Sequence, residues 1–313
     1  MTAVTRTTFS SAPFYPWLSD YRWSPDQLSY SFPSDAGAFG YQPPGTIAAL
    51  SPSQQDAVRT ILAEVEGFTG LHFVETAETT FNPATLRFAA EPAYEGGYAY
   101  YPDFSDEAGD AFFGYRTVNP HVGNEAYVYF LHEIGHALGM GHGHEVDPFN
   151  SSGLNSQEFT VMTYSDYVGD PDLPSYDGGP VDWAQSFMQL DIAALQHMYG
   201  ANYAPSGEIW SGDTVYLFNA STGAMSVNFD WQPTPAGNRI FRTIWDGHGT
   251  DTYDLHDYAT DLLLNLAPGA WSVFDRAQLA DLNRELSAAR SDLQSALARR
   301  NQVRAAANIR GAD

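Results

Sequence analysis

The chain has 313 residues, which is enough for one large or two medium-sized domains with their own cores. Its formal net charge of −24 argues against a protein that binds nucleic acid or anionic membranes. Cysteine is absent, so disulfides and thiolate metal sites are excluded, and His, Asp, Glu and Tyr remain as candidate ligands. Since no apolar run reaches 18 residues, we also expect no transmembrane span.

The first 205 residues predict a short leader followed by a mixed α/β domain. Residues 1–19 are polar and lack an apolar h-region, so we interpret them as a mobile leader or short propeptide and not as a signal peptide. In the domain at 20–205, a helix is predicted from Ser51, a capping residue followed by Pro52, with apolar positions at 58, 61, 62 and 65. Strands are predicted at 71–75, 85–90 and 97–102, and two further helices at 125–139 and 183–199.

The character of the chain changes after residue 205, where a domain boundary is predicted. Residues 206–274 contain short β-like segments, such as 214–218 and 239–245. In residues 275–313, Leu and Ala recur at helical spacing and predict an amphipathic helical tail. Residues 276–313 carry seven of the fourteen arginines against four acidic residues, a local charge of +3. We interpret this helix as lying on an acidic neighbour, with self-association through its leucine stripe as the alternative.

Four histidines and two glutamates occur within the 17 residues 131-LHEIGHALGMGHGHEVD-147. His132 and His136 are four residues apart on a predicted helix, so both imidazoles project from one face and can share a zinc ion. Gly139 lets the backbone leave the helix in a left-handed conformation and turn back, which can bring His142 round as a third ligand. Three nitrogens and one water make an open, catalytic type of zinc site.

Glu133 directly follows the first histidine, within reach of a water in the open position. Zinc lowers the pKa of such a water to about 7, so the carboxylate can take its proton at neutral pH. The pattern HExxH also arises by chance in surface helices, whereas the longer HExxHxxGxxH fixes two further positions and is specific. His144 and Glu145 could compete for the metal or bind a second ion, but we interpret them as part of a solvated loop.

With these residues the chain resembles the metzincin zinc endopeptidases, and among them the serralysin group. The segment 132-HEIGHALGMGH-142 has the metzincin zinc motif, and 161-VMTYSDY-167 resembles the Met-turn. The resemblance implies that Met162 forms an apolar floor beneath the zinc and that Tyr164 approaches the metal as a fifth ligand. During turnover Tyr164 would swing to stabilise the oxyanion. The similarity extends from about Trp17 to Trp271.

The resemblance also implies an α+β fold: a metzincin-type protease domain with a mixed twisted sheet, long helices and an active-site cleft. A small, truncated β-roll-like domain and a C-terminal helix would follow it. In the family the strand that matches 97–102 is a sheet edge, on which the substrate peptide lies as an additional strand. The candidate substrate-binding residues on this edge are Gly97, Tyr98, Ala99 and Tyr100.

A calcium site is implied by the same resemblance in the segment after residue 206. The stretches 210-WSGDTVYLF-218 and 245-WDGHGTDTYD-254 resemble the parts of the serralysin β-roll that enclose one calcium ion. Oxygen ligands suit Ca²⁺. The carboxylates would come from Asp246 and Asp251, and the backbone carbonyls from Trp210, Gly212, Thr214 and His248. An acidic turn region that holds no ion is the alternative.

Three features depart from the family pattern. Gly143 stands where a proline usually follows the third zinc histidine, which gives that loop more freedom. The Gly- and Asp-rich nonapeptide repeats are absent after Trp271, and the Arg/Leu tail stands in their place. We therefore expect few of the calcium sites of a full β-roll, and the family's type I export through a C-terminal signal is in doubt.

These observations predict a secreted, extracellular bacterial zinc endopeptidase without an N-terminal signal peptide. It would hydrolyse proteins or peptides with one catalytic Zn²⁺ and Glu133 as general base, and would bind one or more Ca²⁺ ions. The competing hypothesis is a catalytically silent binding or adhesion module with the metzincin fold. The intact motif disfavours this, because a degenerate copy would be expected to have lost Glu133 or a histidine. A third hypothesis is a latent precursor whose leader covers the cleft sterically.

Overall fold

Eleven strands and three α-helices are present in the parts of the chain that the structure describes. This computed structural model describes residues 2–8, 17–79, 82–147, 149–168, 178–203 and 212–282. In chain order the elements are β1 (Val4–Arg6), β2 (Tyr21–Trp23), β3 (Gln27–Ser31), α1 (Pro52–Phe68), β4 (His72–Glu75), β5 (Leu86–Ala90), β6 (Gly97–Ala99), β7 (Asp110–Phe113), α2 (Glu125–Ala137), α3 (Gln189–Tyr199), β8 (Val215–Phe218), β9 (Met225–Val227), β10 (Asp230–Trp231) and β11 (Thr252–Asp254). This mixture of few helices and several sheets agrees with the expected α+β class.

A five-stranded sheet packs against the helices, and one of its edges lies near the predicted zinc motif. Its spatial order is β4-β3-β5-β7-β6, with parallel pairing throughout except for β6, which runs antiparallel to β7 at the edge. The residues of β5 and β7 are fully buried, which is typical of central parallel strands that are covered on both faces. The edge strand is shorter than predicted, because its ladder ends at Ala99.

Helix α1 begins where the sequence predicted. Ser51 accepts a hydrogen bond from the amide of Gln54, and the Gln54 side chain accepts one from the amide of Ser51. This reciprocal capping box satisfies two amides that the first helical turn leaves free. The predicted apolar positions are all buried in the main core: Val58, Ile61, Leu62 and Val65.

Helices α2 and α3 are shorter than predicted. Helix α2 ends at Ala137, two residues before Gly139, and α3 begins at Gln189 instead of residue 183. Residues 183–188 are buried, but their amides bond to distant segments: that of Gln185 donates to the carbonyl of Phe241, 2.9 Å away. The apolar pattern of residues 183–188 therefore reflects their burial and does not indicate a helix. No helix within the described ranges is both long and apolar enough to span a bilayer.

The described parts of residues 1–19 are packed on the domain, so the expectation of mobility was wrong for them. Strand β1 pairs with β2, and Trp17 is only 3% exposed. Leu18 forms an antiparallel bridge with Met140. The apolar residues at the end of this segment contribute to the main core, which explains why it stays attached.

A second, smaller sheet follows in residues 212–282, with the order β10-β9-β8-β11. It covers a separate small cluster of buried apolar residues: Tyr216, Phe218, Met225, Val227 and Phe274. The predicted strand at 239–245 does not form; in that segment the amide of Ile240 bonds to the carbonyl of Gln278. The predicted helical tail begins with only a 3₁₀ turn, Arg276–Gln278, and its residues 283–313 lie outside the described part of the chain.

Candidate metal centre

Three histidine side chains meet at one point beside the middle of α2. The Nε2 atoms of His132 and His136 are 3.0 Å apart, and the Nε2 atom of His142 is 3.0 Å from the first and 3.1 Å from the second. Zinc–nitrogen bonds of 2.0–2.1 Å in a tetrahedral site would separate the nitrogens by about 3.3–3.4 Å. The triangle is therefore of nearly the right size for three ligands of a single ion.

The outer nitrogen of each imidazole is already engaged. Nδ1 of His132 lies 2.7 Å from the carbonyl oxygen of Val161, and Nδ1 of His136 lies 2.6 Å from that of Met140. Nδ1 of His142 lies 3.1 Å from Oε1 of Glu145. Since these partners accept hydrogen bonds, each Nδ1 carries the proton and each Nε2 presents a lone pair to the centre. Three lone pairs at this spacing repel one another unless a cation lies between them.

Burial keeps these imidazoles neutral. His132 and His136 are 3% and 6% exposed. Desolvation holds the pKa of His132 well below its usual value and lowers the pKa of His136 to about 3. Desolvation also lowers the pKa of His142. Neutral imidazole is the form that binds a metal, so the site is prepared for an ion across the physiological pH range.

The turn after α2 brings His142 round in the way the sequence predicted. Gly139 has a φ of 104°, a conformation that favours glycine, and its carbonyl accepts the amide of Ser19 at 2.8 Å. The amide of Gly141 donates to the carbonyl of Trp17, 2.5 Å away. The N-terminal segment therefore holds the turn from both sides of Met140, immediately before His142.

Glu133 is buried against the edge strand β6. It is 3% exposed, and its Oε2 atom has no hydrogen-bond partner among the described residues. A Cβ atom on Gly97 would lie 2.7 Å from Cγ of Glu133, so only glycine fits beside this carboxylate. Burial raises the pKa of Glu133 to about 8. A carboxylate with an unused oxygen atom and a pKa near neutrality is suited to exchanging a proton with a nearby water.

Met162 packs against α2 at Gly135, the residue before His136. It is fully buried, and a Cβ atom on Gly135 would come within 2.5 Å of its Sδ atom. The carbonyl of Met162 accepts the amide of Gly143 at 3.2 Å. The apolar floor and the turn that carries His142 are thus joined.

Tyr164 reaches the same centre through its hydroxyl group. Its hydroxyl lies 3.0 Å from Nε2 of His142, and burial raises its pKa, so the phenol stays protonated. The ring of His144 packs at 4.3 Å from the ring of Tyr164. Glu145, which we assigned to a solvated loop, is largely exposed but also holds His142. His142, His144 and Glu145 form a second group that could hold an ion.

The predicted substrate-binding residues lie along the edge of the large sheet. Gly97 to Ala99 form β6, and Tyr98 stacks on Phe112 at 5.1 Å. Tyr100 follows the strand, and its amide still donates to the carbonyl of Asp110 at 2.9 Å. Among the described residues, β6 pairs only with β7, which leaves its outer edge available to an extended peptide.

Most of the predicted calcium ligands come together on loops beside the second sheet. The amide of Thr214 donates to Oδ1 of Asp251 at 3.1 Å, and the amide of His248 donates to Oδ1 of Asp246 at 3.2 Å. Burial and the nearby Asp246 carboxylate raise the pKa of Asp251. Gly212 lies beside this group, where its carbonyl would be 2.2 Å from a Cβ on Gly249. Trp210 lies outside the described residues.

Sequence reasoning missed three groups that support the first two imidazoles of the triad. Two of these are backbone carbonyls, those of Val161 and Met140, which no residue type reveals. A third group is Asp191, which is buried behind the Met-turn and accepts the amide of Val161. Its only signal in the sequence was its place at the start of 191-DIAALQHMYGAN-202, a stretch that resembles the family.

Comparisons with known proteins agree with this geometry. Residues 206–281 match the family described as Peptidase M10 serralysin C terminal. The chain is 34% identical to Serralysin C of Dickeya chrysanthemi over 56% of its length and 36% of that protein. It is 28% identical to the Serralysin of Proteus mirabilis, over 79% of its length and 53% of that protein. Its identity to Metalloprotease AprA of Pseudomonas entomophila (strain L48) is 29%, over 78% of its length and 52% of that protein.

These matches agree with the resemblance that the motifs indicated: the chain is similar to serralysin-like metzincins over much of its length. Its relatives carry the names of metalloproteases, which agrees with the presence of the histidine triad. The chain spans about half the length, or less, of the curated relatives that it matches.

Proposed function

We propose that this serralysin-like chain is a zinc-dependent endopeptidase. The observation that carries the proposal is the triangle of Nε2 atoms of His132, His136 and His142, with edges of 3.0–3.1 Å. The three outer nitrogens are all engaged, so the lone pairs face inward. The buried Glu133, with one unused oxygen, supplies the group that a hydrolytic site needs beside the metal.

The fit between the residues and the metal follows from their chemistry. Three neutral imidazoles are a frequent ligand set of catalytic zinc, and the fourth position stays open for water. Zinc held by these nitrogens would supply a Lewis acid that makes a water acidic and polarises the peptide carbonyl. Glu133 takes the proton of the attacking water and later delivers it to the leaving amine.

Tyr164 is proposed to stabilise the negative charge that develops on the carbonyl oxygen. Its hydroxyl is 3.0 Å from Nε2 of His142, so the phenol lies at the centre before any substrate arrives. Because burial raises its pKa, the hydroxyl retains its proton and can donate a hydrogen bond to an oxyanion. A single preorganised donor of this kind typically contributes a factor of about 10²–10³ to kcat.

Proteins and peptides are the proposed substrates, bound in extended form along β6. Gly97, which is next to Glu133, places the edge of the sheet beside the proposed general base. A peptide added as a further strand would run past the metal centre and present its carbonyls to it. Backbone hydrogen bonds would give affinity for many sequences, and side-chain pockets would set the preference.

The test is casein hydrolysis by the purified chain, with and without a zinc chelator, and with the variant Glu133→Gln. The expected result is chelator-sensitive turnover that the variant loses while it keeps one zinc per chain. Glu107→Gln, on a half-buried loop glutamate away from the triad, is the matched control and should retain full activity. Full turnover by a zinc-loaded Glu133→Gln variant would refute the role of Glu133.

The same experiment separates the competing binding module from the protease. Both would contain zinc, so the metal content does not distinguish them. A zinc-loaded wild-type chain that binds peptides without cleaving them would replace the endopeptidase with the module. The intact set of His132, Glu133, His136, His142 and Tyr164 favours turnover.

Three further expectations extend the proposal. We propose a calcium ion at Asp246 and Asp251, whose carboxylates meet beside Thr214. We propose an extracellular location, as the serralysin-like motifs imply. Self-association through the leucine stripe of the tail stays a prediction, and sedimentation of the full chain at several concentrations would test it.

A further inference from the structure

A buried carboxyl group lies behind the metal centre without contributing to the triad. Asp191 is the third residue of α3 and is fully buried. It accepts three hydrogen bonds: from Oγ1 of Thr160 at 2.5 Å, from the amide of Val161 at 2.8 Å and from the amide of Met188 at 2.9 Å. None of the ion pairs formed within the described ranges includes Asp191.

Two of these three donors belong to the segment that supports His132. The amide of Val161 donates to Asp191, while the carbonyl of the same residue lies 2.7 Å from Nδ1 of His132. Oγ1 of Thr160 donates to Asp191 and accepts the amide of Met162 at 2.9 Å. One carboxyl group therefore holds the backbone on both sides of the carbonyl that orients the first histidine.

The third donor joins this segment to α3. The amide of Met188 precedes the helix, so Asp191 also closes the first turn of α3 as its N-terminal capping partner. A carboxyl group at a helix N-terminus is favoured by the helix dipole. A cap alone needs only one acceptor at the surface, yet this group is fully buried and uses both oxygens, mainly on the loop beneath the zinc motif.

We infer that Asp191 is a positioning residue for the metal centre, acting through the backbone of Val161 on His132. This inference rests on the proposed zinc site and adds a residue outside it. Groups that orient a metal-bound histidine typically change metal affinity by roughly 10- to 100-fold when they are removed. Asp191→Ala should therefore weaken zinc binding by that factor, and Asp191→Asn, which keeps an oxygen for the two amides, should weaken it less.

The experiment measures the zinc dissociation constant of the full chain by competition with a chromophoric chelator, together with the Tm of each metal-free variant. Thr160→Val removes the hydroxyl that bonds to Asp191, whereas Thr160→Ser keeps it. We expect weaker zinc binding for the first and wild-type binding for the second. The Thr160 pair also decides the question if Asp191→Ala does not fold.

Asp110→Asn provides the control for general destabilisation. Asp110 is equally buried, but it pairs with Arg87 at 2.6 Å in the large sheet and does not contact the triad. It should lower Tm without changing zinc affinity more than about twofold. Unchanged affinity in both Asp191→Ala and Thr160→Val, or an equal loss in Asp110→Asn, would overturn the inference. A wild-type chain without zinc affinity would instead refute the proposed function.

Discussion

The zinc motif and the proposed calcium region differ in the secondary structure and the apolar core that support them. The triad lies on α2 and on a turn bonded to the N-terminal segment, within the main apolar core. The calcium region lies on loops around a cluster of five buried side chains, and its apolar surface is exposed: Leu263 is 61% and Leu266 is 62% exposed. The first site is preorganised by packing, whereas the second brings two carboxylates together on loops, where we propose that a calcium ion binds.

The largest effect is expected from removing a ligand of the triad. His136→Ala should abolish zinc binding and lower kcat/KM by on the order of 10³-fold or more, because several kcal/mol of transition-state stabilisation depend on the metal. His72→Ala, on an exposed histidine of β4, should retain activity. Zinc content by mass spectrometry and peptide turnover provide the measurements. Strong activity in the zinc-free variant would contradict the proposal that turnover depends on zinc held by the triad.

Gly97, beside the motif, and Gly135, within it, should separate an effect on catalysis from an effect on packing. Gly97→Ala places a methyl group against Glu133 and should lower kcat by roughly 10²-fold, since a displacement of about 1 Å can have that effect. Gly135→Ala instead meets Met162 and should reduce the free energy of unfolding by about 1–3 kcal/mol. Turnover and urea unfolding of both variants check this assignment. If Gly97→Ala loses stability but not turnover, the assignment is wrong.

The contribution of the N-terminal segment to zinc affinity should depend on its contacts with the turn before His142. A chain that begins at Trp17 keeps the bond from Gly141, whereas one that begins at Asp20 loses it together with the bond between Ser19 and Gly139. We expect zinc affinity to fall by roughly 10-fold only in the shorter chain. Chelator competition on both chains tests this. Equal affinities would mean that residues 17–19 can be removed with the leader.

The calcium region should respond to its ion without affecting zinc. Calcium at 100 times its dissociation constant should stabilise the wild-type chain by about 2.7 kcal/mol. Asp251→Asn should remove this gain, because it loses a carboxylate that meets Asp246. Thermal unfolding with and without calcium measures the effect. A change in zinc affinity in the same variant would show that the two regions are coupled.

A dependence of stability on pH is also expected. Burial raises the pKa of Asp191 to about 7, so the folded chain binds a proton that the unfolded chain releases near pH 4. The free energy of unfolding should therefore fall as pH rises between about 4 and 7, by up to about 1.4 kcal/mol per unit. Asp191→Asn should make this slope less steep in urea unfolding of the metal-free chain. An unchanged slope would assign the titration to another group.

The convergence of the histidines could be predicted because it depends on local rules. The spacing of His132 and His136 on a helix and the positive φ of Gly139 are properties of a short stretch of sequence. The start of α3 could not be predicted in the same way. The buried residues around Trp183 and Phe187 have the spacing of an apolar helix face, although amides in this segment bond to distant parts of the chain.

The attachment of the N-terminus and the role of Asp191 were beyond local rules for the same reason. Trp17 follows a polar stretch, and only the tertiary fold shows that its carbonyl holds the turn before His142. In the helix predicted from residue 183, Asp191 reads as an ordinary mid-helix carboxylate until Thr160 and Val161 are seen beside it. Long-range hydrogen bonds determine both roles, and periodicity does not encode them.

The three imidazoles of the triad differ in how firmly the hydrogen bonds at Nδ1 hold them. Those of His132 and His136 bond to buried backbone carbonyls, those of Val161 and Met140. The imidazole of His142 instead pairs with Glu145, whose side chain is 64% exposed. Exposed pairs of this kind contribute little, so we expect His142 to be the least firmly held of the three. A chelator that competes for a zinc ion bound here should therefore displace His142 before the two buried imidazoles.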